Sequence, residues 1–573
     1  MSRLLIVFVA LIFQPLIALG QEAQLTFVFP AGAQPGETVE VDLNGKEIEA
    51  VDQLFIDSIE LKVDRVGKAR LKVTVPPSAA VGEYDLWPVT KKGLRTPCRF
   101  VIGSVANHVE QEPNSTAETA EAIALPALIH GQIAPAVDAD WYRVQLDAGQ
   151  GLTIAARSVS LGGTVWPTIT VYDPQGAEVA HDALNRLEPI VHFVATKTGE
   201  YRVAVQDRSY RSTTVPFYQV MLTAGPWISE AFPLSLERGK SQPVSLYGYQ
   251  LPGGKLVPGR RDRLQEIVTD VIAPSSTLLA GQRWLAARSF RTECFDFRQA
   301  SSAGSIRFEL CDRAPQRDLI DGDQLPLLLT TPVEIVNRFS TTRQSAHTYR
   351  FAAKKSQMFW LEAISERLDR PTDLELVICD ANMKQLDSIG GIVVGKDDAI
   401  PLPIESRDPA GSWRAPEDGE YRLVVRELLS VTDDPIDRAY RVSIGPRLER
   451  MDVVAMLGDA AKPTAWSVAP GRSIAVPLVA IRTGGHGEPI EVRGEKLPPG
   501  LEIKPVKLAG KERTGKLTIT AAKDAQPWIG SIQLVATSKV EGKPQERPVR
   551  VALPIGGTTP GARICEAAVI AIR

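Results

Sequence analysis

Short runs of alternating apolar and polar residues recur along the chain, set off by glycine and proline corners. In Thr38-Val39-Glu40-Val41-Asp42-Leu43 the period of two places Val39, Val41 and Leu43 on one face, the pattern of a half-buried strand. Residues 201–205, 421–425, 516–520 and 531–535 alternate in the same way. Helical periodicity is scarce, and only 118–123 and 261–270 suggest short helices. With 44 glycines and 42 prolines supplying turns, the pattern predicts an all-β chain, a tandem array of about five β-sandwich domains.

Two internal repeats divide the array. Phe29-Pro30 and Phe232-Pro233 are each followed by a glycine six residues after the proline (Gly36, Gly239) and another nine residues later (Gly45, Gly248), with an alternating strand between the glycines. Gly239-Lys240-Ser241 is not a phosphate loop, because Leu234 stands where that motif needs its first glycine. The second repeat is longer. Trp141-Tyr142-Arg143-Val144 matches Thr348-Tyr349-Arg350-Phe351, and each copy reaches an apolar strand and turn thirty residues after its tyrosine. Each then shows Gly-Glu-Tyr-Arg, at 199–202 and 419–422, and closes on a tyrosine strand at 218–222 or 440–444.

The first copy resembles the bacterial pre-peptidase C-terminal domain, a β-sandwich found beside secreted proteases and in collagen-binding modules. The motifs that carry the resemblance are Glu110-Gln111-Glu112-Pro113-Asn114, His130-Gly131-Gln132-Ile133, Asp138-Ala139-Asp140-Trp141-Tyr142, Gly149-Gln150, Tyr172-Asp173-Pro174-Gln175-Gly176 and Gly199-Glu200-Tyr201. The second copy looks like a degenerate member, lacking the acidic entry and the Asp-x-Asp pair. The flanking segments resemble immunoglobulin-like sandwiches. The expected order is a signal peptide at 1–20, then immunoglobulin-like (24–104), pre-peptidase-like (105–225), immunoglobulin-like (227–331), degenerate pre-peptidase-like (332–446) and immunoglobulin-like (447–573) modules, each folded around its own sheets and joined by short linkers.

In the collagen-binding relatives of that family, carboxylates in the entry segment and ahead of the first aromatic strand bind calcium. The resemblance thus implies calcium at Glu110, Glu112, Asn114, Asp138 and Asp140. Glu110, Glu112 and Asn114 occupy alternate positions, which an extended chain points one way, and Asp138 and Asp140 alternate likewise. Their oxygens, with backbone carbonyls, suit a hard cation that takes about six to eight. Ser115 and Val137 depart from the family pattern. The same residues also suit a Glu-Pro-Asn turn followed by a hydrogen-bonded strand entry, the commoner use of such residues. Asp318, Asp321 and Asp323 form a weaker acidic stretch without the spacing of a calcium loop. Asn114-Ser115-Thr116 fits a glycosylation sequon, a match close to chance in a chain of this length.

Composition narrows the functional classes. Arg3, the apolar run 4–17 and the small residues Ala18 and Gly20 form an export signal with cleavage before Gln21. The mature chain is therefore expected to be secreted or periplasmic, with no membrane insertion. A net charge of −3 offers no footprint for nucleic acid. Of five cysteines, Cys294 and Cys311 flank a hairpin and could bridge it, while Cys98, Cys379 and Cys565 read as small buried hydrophobes. The six histidines are scattered, and no metalloprotease, hydrolase-elbow or Cys-x-x-Cys motif is present. Of nine tryptophans, Trp141 and Trp360 read as strand core, and Trp87, Trp166, Trp227 and Trp528 as packing at module junctions. The expectation is a non-enzymatic binding or scaffolding protein of the cell envelope or matrix, with an extracellular protein or polysaccharide as partner. The alternatives are an accessory or targeting part of a secreted peptidase system, or a dedicated carbohydrate-binding protein.

Overall fold

The computed structural model describes residues 24–573 apart from 136, 183–187, 211–214, 261, 276–292, 300–301, 318–327, 340–345, 369, 371, 393–405, 429–435, 447, 459–463 and 556–560. The export signal, the acidic stretch 318–323 and Trp284 lie outside the described residues. Within them there is no α-helix, and the strands form ten sheets. The sheets pair as sandwiches over 24–102, 106–223, 227–311, 316–445 and 450–572, each pair enclosing an apolar core. The helix expected at 261–270 is instead the strand Gln265–Ile272, whose β-branched Ile267, Val268, Thr269, Val271 and Ile272 favour the pleat. The other expected helix contains the short strand Glu121–Ala122.

The repeat landmarks have physical causes. The strand Gln24–Phe29 runs in one sheet until Pro30, which has no N–H for the ladder, and Gly32–Ala33 then joins the facing sheet. Trp227–Phe232, Pro233 and Ser235–Glu237 make the same switch. Register slips between Leu25 and Phe27 against Gly45, and between Ile228 and Glu230 against Gly248. At these bulges a Cβ on Gly45 would lie 2.0 Å from the Gln24 carbonyl oxygen, and one on Gly248 1.9 Å from that of Trp227. Only glycine fits.

The second and fourth sandwiches share one topology. In the second, one sheet runs Ala106–Val109, Ala127–Gln132, Phe217–Thr223, Gly151–Arg157, Ile190–Val194, and the other Glu121–Ala122, Ala139–Leu146, Gly199–Asp207, Pro167–Tyr172, Glu178–His181. The fourth repeats both orders, from Gln316–Arg317 and from Leu328–Leu329, adding only Gly391–Ile392 at one edge. Thus Gln316–Arg317, assigned by sequence to the third module, pairs in parallel with Val333–Arg338 of the fourth. Tyr142 faces the core of the second sandwich, and Phe359 and Leu361 that of the fourth, so the adjacent Trp141 and Trp360 lie half-buried on the outer sheet faces rather than in the cores, Trp141 stacked on Tyr172 at 5.1 Å. Cys294 pairs with Glu309, two residues short of Cys311, and no disulfide joins the two. Cys98, Cys379 and Cys565 are buried.

Three of the five cores borrow residues from a neighbouring module. Leu161, Val215 and Phe217 of the second sandwich complete the core of the first, with Phe217 stacked on Phe27 at 5.1 Å. Val336, Ile364, Leu368, Ile436 and Ala439 of the fourth complete that of the third. Ser158 and Ser365 each donate to a backbone carbonyl at this seam, of Phe217 and Ala439, both at 2.8 Å. Residues 24–223 and 227–445 are therefore two copies of one two-module unit. The fifth sandwich takes Trp87 and Leu94 of the first into its own core, so the two ends of the chain meet.

Buried ion networks cement these seams. Asp85 and Glu83 of the first module hold Arg99 at 3.3 and 3.5 Å, Arg157 of the second reaches Glu83 at 2.6 Å, and Arg563 of the fifth pairs with Asp85. The Glu566 backbone N–H donates to Asp85 at 2.8 Å. At the second junction Arg441 of the fourth module grips Glu309 of the third at 2.7 and 2.8 Å, and Arg547 of the fifth pairs with Glu293.

Replacing Arg563 with Met strips Asp85 of a partner while it stays buried. The expected loss is about 3–5 kcal/mol in the unfolding step that contains the first and last modules, read by urea denaturation, with a larger radius of gyration in solution scattering. An unchanged curve would show that the joint carries no stability. Burial pushes the Glu566 carboxyl up to about 7 from its ordinary 4.5, so the joined modules hold a proton that separated modules give up. The joint should tighten as pH falls through about 7, and Glu566→Gln should flatten that slope.

Candidate metal centre

The entry strand Ala106–Val109 runs parallel to Ala127–Gln132, and the Glu110 N–H continues the ladder to the His130 carbonyl at 3.0 Å. The Glu110 carboxylate turns inward and accepts from the Gln132 N–H at 2.6 Å and the Tyr142 hydroxyl at 3.3 Å. It fits because residue 131 is glycine: a Cβ there would lie 2.6 Å from Glu110 Oε2 and 2.3 Å from the Tyr218 hydroxyl. Four residues on, the Asn114 carbonyl accepts from the Trp141 N–H at 2.8 Å, and its own N–H donates to Glu112 at 2.9 Å. The entry segment is thereby laced to the start of Ala139–Leu146. Asp138 accepts from the Ala139 N–H at 2.9 Å, and Asp140 from the Tyr218 hydroxyl at 2.5 Å.

Oxygens of Glu112, Asp138 and Asp140 converge within 4.8 Å of one another. Asn114 and Asp140 are fully buried, yet Oδ1 and Nδ2 of Asn114 and Oδ1 of Asp140 have no hydrogen-bond partner. A buried polar atom without a partner costs about 1–3 kcal/mol, more for a charged one. The donors that converge are oxygens of three carboxylates, a set that suits a hard divalent cation and favours calcium over softer metals. Glu112, exposed, leaves one side of the cluster open to solvent.

Three of the five residues singled out from the sequence thus converge, and Asn114 is tied to them through its N–H to Glu112 and its carbonyl to the Trp141 N–H. Glu110 instead stands behind the cluster, joined to it through Tyr142 and Tyr218, whose hydroxyls lie 2.6 Å apart. The chain Glu110–Tyr142–Tyr218–Asp140 has three contacts and only two phenolic protons, so a proton on one carboxyl completes it. The carboxyls are poised to carry it. Burial, and then the charge of Asp140, push Glu110 up to about 9, and burial pushes Asp140 up to about 8. Gly131 and the tyrosine pair are the contributors that sequence reasoning missed, although Gly131 and Tyr142 lie within the motifs quoted above. Complete burial of Asn114 also removes it as a glycan acceptor.

The fourth module holds the counterpart. Register places Asn337 opposite Tyr440 where Gly131 faces Tyr218, and His347 where Asp140 stands. His347 Nδ1 lies 2.6 Å from the Tyr440 hydroxyl, Tyr440 lies 2.6 Å from Tyr349, and Asn337 donates to Tyr349 at 3.2 Å. Burial pushes His347 down to about 4, so the ring is neutral near pH 7. The tyrosine pair is kept, while neutral partners replace the acids.

Other buried histidines have structural partners: His130 lies 2.9 Å from Asn107, His192 stacks on Tyr249 of the third module at 3.5 Å, and His486 lies 3.0 Å from Ser538.

No family model matches this chain, and no curated protein matches it. Among solved structures it is similar to SGBP-B of the Bacteroides ovatus mixed-linkage glucan utilization locus, solved with a mixed-linkage heptasaccharide, at 8% identity over 73% of this chain and 72% of that one, with a TM-score of 0.13. It is likewise similar to a putative membrane anchored protein from Corynebacterium diphtheriae, at 8% identity over 81% of this chain and 90% of that one, with a TM-score of 0.12. At these scores neither superposition bears on the fold or the site.

Glu110 and Asp140 bind protons in the folded, metal-free module that the unfolded chain, titrating near 4.5 and 3.8, does not. In EDTA the melting midpoint of this module should therefore rise as pH falls from about 9 toward the ordinary carboxylate range. Calcium should shrink or reverse that slope, because the ion holds the carboxylates deprotonated. Scanning calorimetry across pH checks both, and a flat profile in EDTA contradicts the assignment of raised pKa values.

Proposed function

We propose that this chain is an exported, non-catalytic binding protein whose second sandwich, of the pre-peptidase C-terminal type, is set in its working shape by calcium. The observation that carries the reading is the convergence of Glu112, Asp138 and Asp140 beside the unpartnered amide of Asn114. A cation there satisfies atoms that the protein leaves orphaned and ties the entry segment to the sheet. Support also comes from the buried histidines, which hydrogen-bond or stack within and between modules. Among the described residues no helix is long and apolar enough to cross a membrane. The residues and ion pairs shared across module seams give a frame on which a binding surface is held in place, and rigidity lowers the entropy lost on binding.

Calorimetric titration of the full chain with calcium chloride should show a single strong site, and calcium at about a hundred times its Kd should stabilise the second module by about 2.7 kcal/mol. Glu112→Gln, at an exposed position, should weaken the site without unfolding the module. Tyr218→Phe, which removes the hydroxyl orienting Asp140, should cost about 10–100-fold in affinity. Absence of both binding heat and a melting shift between calcium and EDTA rejects the reading.

A further inference from the structure

One sheet of the second sandwich carries aromatic rings on its outer face. In its strands Ala139–Leu146, Gly199–Asp207 and Pro167–Tyr172, the side chains of Tyr142, Val144, Val203, Val205, Ile169 and Val171 enter the core. Alternation therefore sends Trp141, Ala204 and Gln206 to the outer face, with Thr168, Thr170 and Tyr172. Trp166 lies between Val165 in the core and the buried Pro167, so it joins them, and it is 48% exposed. Its backbone continues the sheet, the carbonyl accepting from the Arg208 N–H at 2.8 Å. Trp141 and Tyr172, both half-buried, stack across the middle strand with ring centroids 5.1 Å apart.

The fold does not need these rings. In the fourth sandwich the same register places Thr348 where Trp141 stands, Cys379 where Tyr172 stands and Asp373 where Trp166 stands. The equivalent sheet forms there without an aromatic at any of the three positions. Its outer face instead buries Val377, Cys379 and Val424 together. Glu375 and Arg426, 3.7 Å apart, replace Thr168 and Gln206. The two copies keep one core pattern and differ in what this face offers, so the rings of the second answer to something other than folding.

The spacing and chemistry of the face select a ligand. Trp166 and Tyr172 stand six residues apart on one strand line, about 20 Å at about 3.3 Å per residue, with the hydroxyls of Thr168 and Thr170 between them. The neighbouring strand adds the half-buried amide of Gln206 and the small Ala204. A protein interface centres on well-packed apolar side chains, whereas the centre here is hydroxyl, amide and methyl. The cations beside the Trp141–Tyr172 pair are engaged within the module. Arg143 donates to the Ala120 carbonyl at 2.9 Å and to Glu200 at 2.7 Å, and Arg202 to the Ala117 carbonyl at 3.1 Å and to Glu200 at 3.0 Å. A chain of neutral sugars matches such a face. Each sugar has an apolar C–H side to lie on an aromatic ring, and hydroxyls at its edge that exchange hydrogen bonds with threonine and glutamine.

We propose that this outer face binds a neutral polysaccharide laid along Pro167–Tyr172, one sugar stacked on Trp166, another against the Trp141–Tyr172 pair, and those between bonded to Thr168, Thr170 and Gln206. The proposal rests on the binding-protein part of the reading above and not on calcium, because Asp140 alternates with Trp141 and points inward. Affinity electrophoresis of the full chain through gels containing hydroxyethylcellulose, mannan or dextran tests it, with alginate as the acidic comparison and gelatin as the protein one. At least one neutral glycan should retard the chain. Trp166→Ala and Tyr172→Ala should each weaken that retardation at least about tenfold. Trp166 is exposed, so its truncation should leave the melting midpoint as in the parent. Asp373→Ala, at the matching position of the fourth sandwich, should leave retardation unchanged. Retardation that survives Trp166→Ala overturns the proposal, as does failure of every neutral glycan or retention by alginate or gelatin alone. None of those results touches the calcium site, which its own titration tests. Shortening of a glycan by the purified chain overturns the non-catalytic reading itself.

Discussion

A charge taken out of water must meet another charge or a donor, and in this protein that requirement decides both the architecture and the site. Arg99, Asp85, Arg563 and Arg441 are nearly inaccessible, yet each carboxylate or guanidinium among them finds a counterpart in another strand or another module. These pairs have geometry that a slipped or rotated module would break, so they specify how the sandwiches dock more than they add to stability. The same requirement left unmet at Asn114 and Asp140 is what marks the candidate metal centre.

The duplicated two-module unit provides an internal comparison. Both copies retain a pair of touching tyrosines between the same strands. In one, acids on either side leave the network short of a proton and long on unpaired oxygen. In the other, His347 and Asn337 close it with neutral groups. A fold can therefore keep its core hydrogen bonds while losing the chemistry at their ends.

Much of the fold was legible because strand alternation and corner residues are local. Pro30, Gly45 and Gly248 mark a sheet switch and two backbone approaches that no other residue type tolerates, and the repeat spacing exposed them. Glu112, Asn114, Asp138 and Asp140 were legible through a short motif order. What sequence missed is set by distant contacts. Glu110 was expected as one of five ligands, and it sits in the slot over Gly131, bonded to the Tyr142 hydroxyl and the Gln132 N–H, a placement fixed by contacts far apart in sequence. Trp166 was expected in a junction, yet it stands 48% exposed, its backbone N–H bonded to Asp207, forty-one residues on. Alternation likewise said nothing of the residues that one module lends to its neighbour's core, because a residue that faces a neighbouring module reads like one that faces its own.

The clasp between first and last modules has a consequence for how the chain is made. Asp85 and Arg563 are 478 residues apart, and Trp87 and Leu94 rest in a core whose other buried members lie beyond residue 450. A nascent chain emerging from its amino end exposes Trp87 and Leu94 until nearly all of it has been synthesised, so this apolar surface needs shelter through most of biogenesis. Contacts of such sequence separation form late, because the intervening chain must be gathered before they repay its ordering. A polypeptide cut short within its final sandwich would complete four folded units and still present that unfilled seat to whatever hydrophobic surface it met.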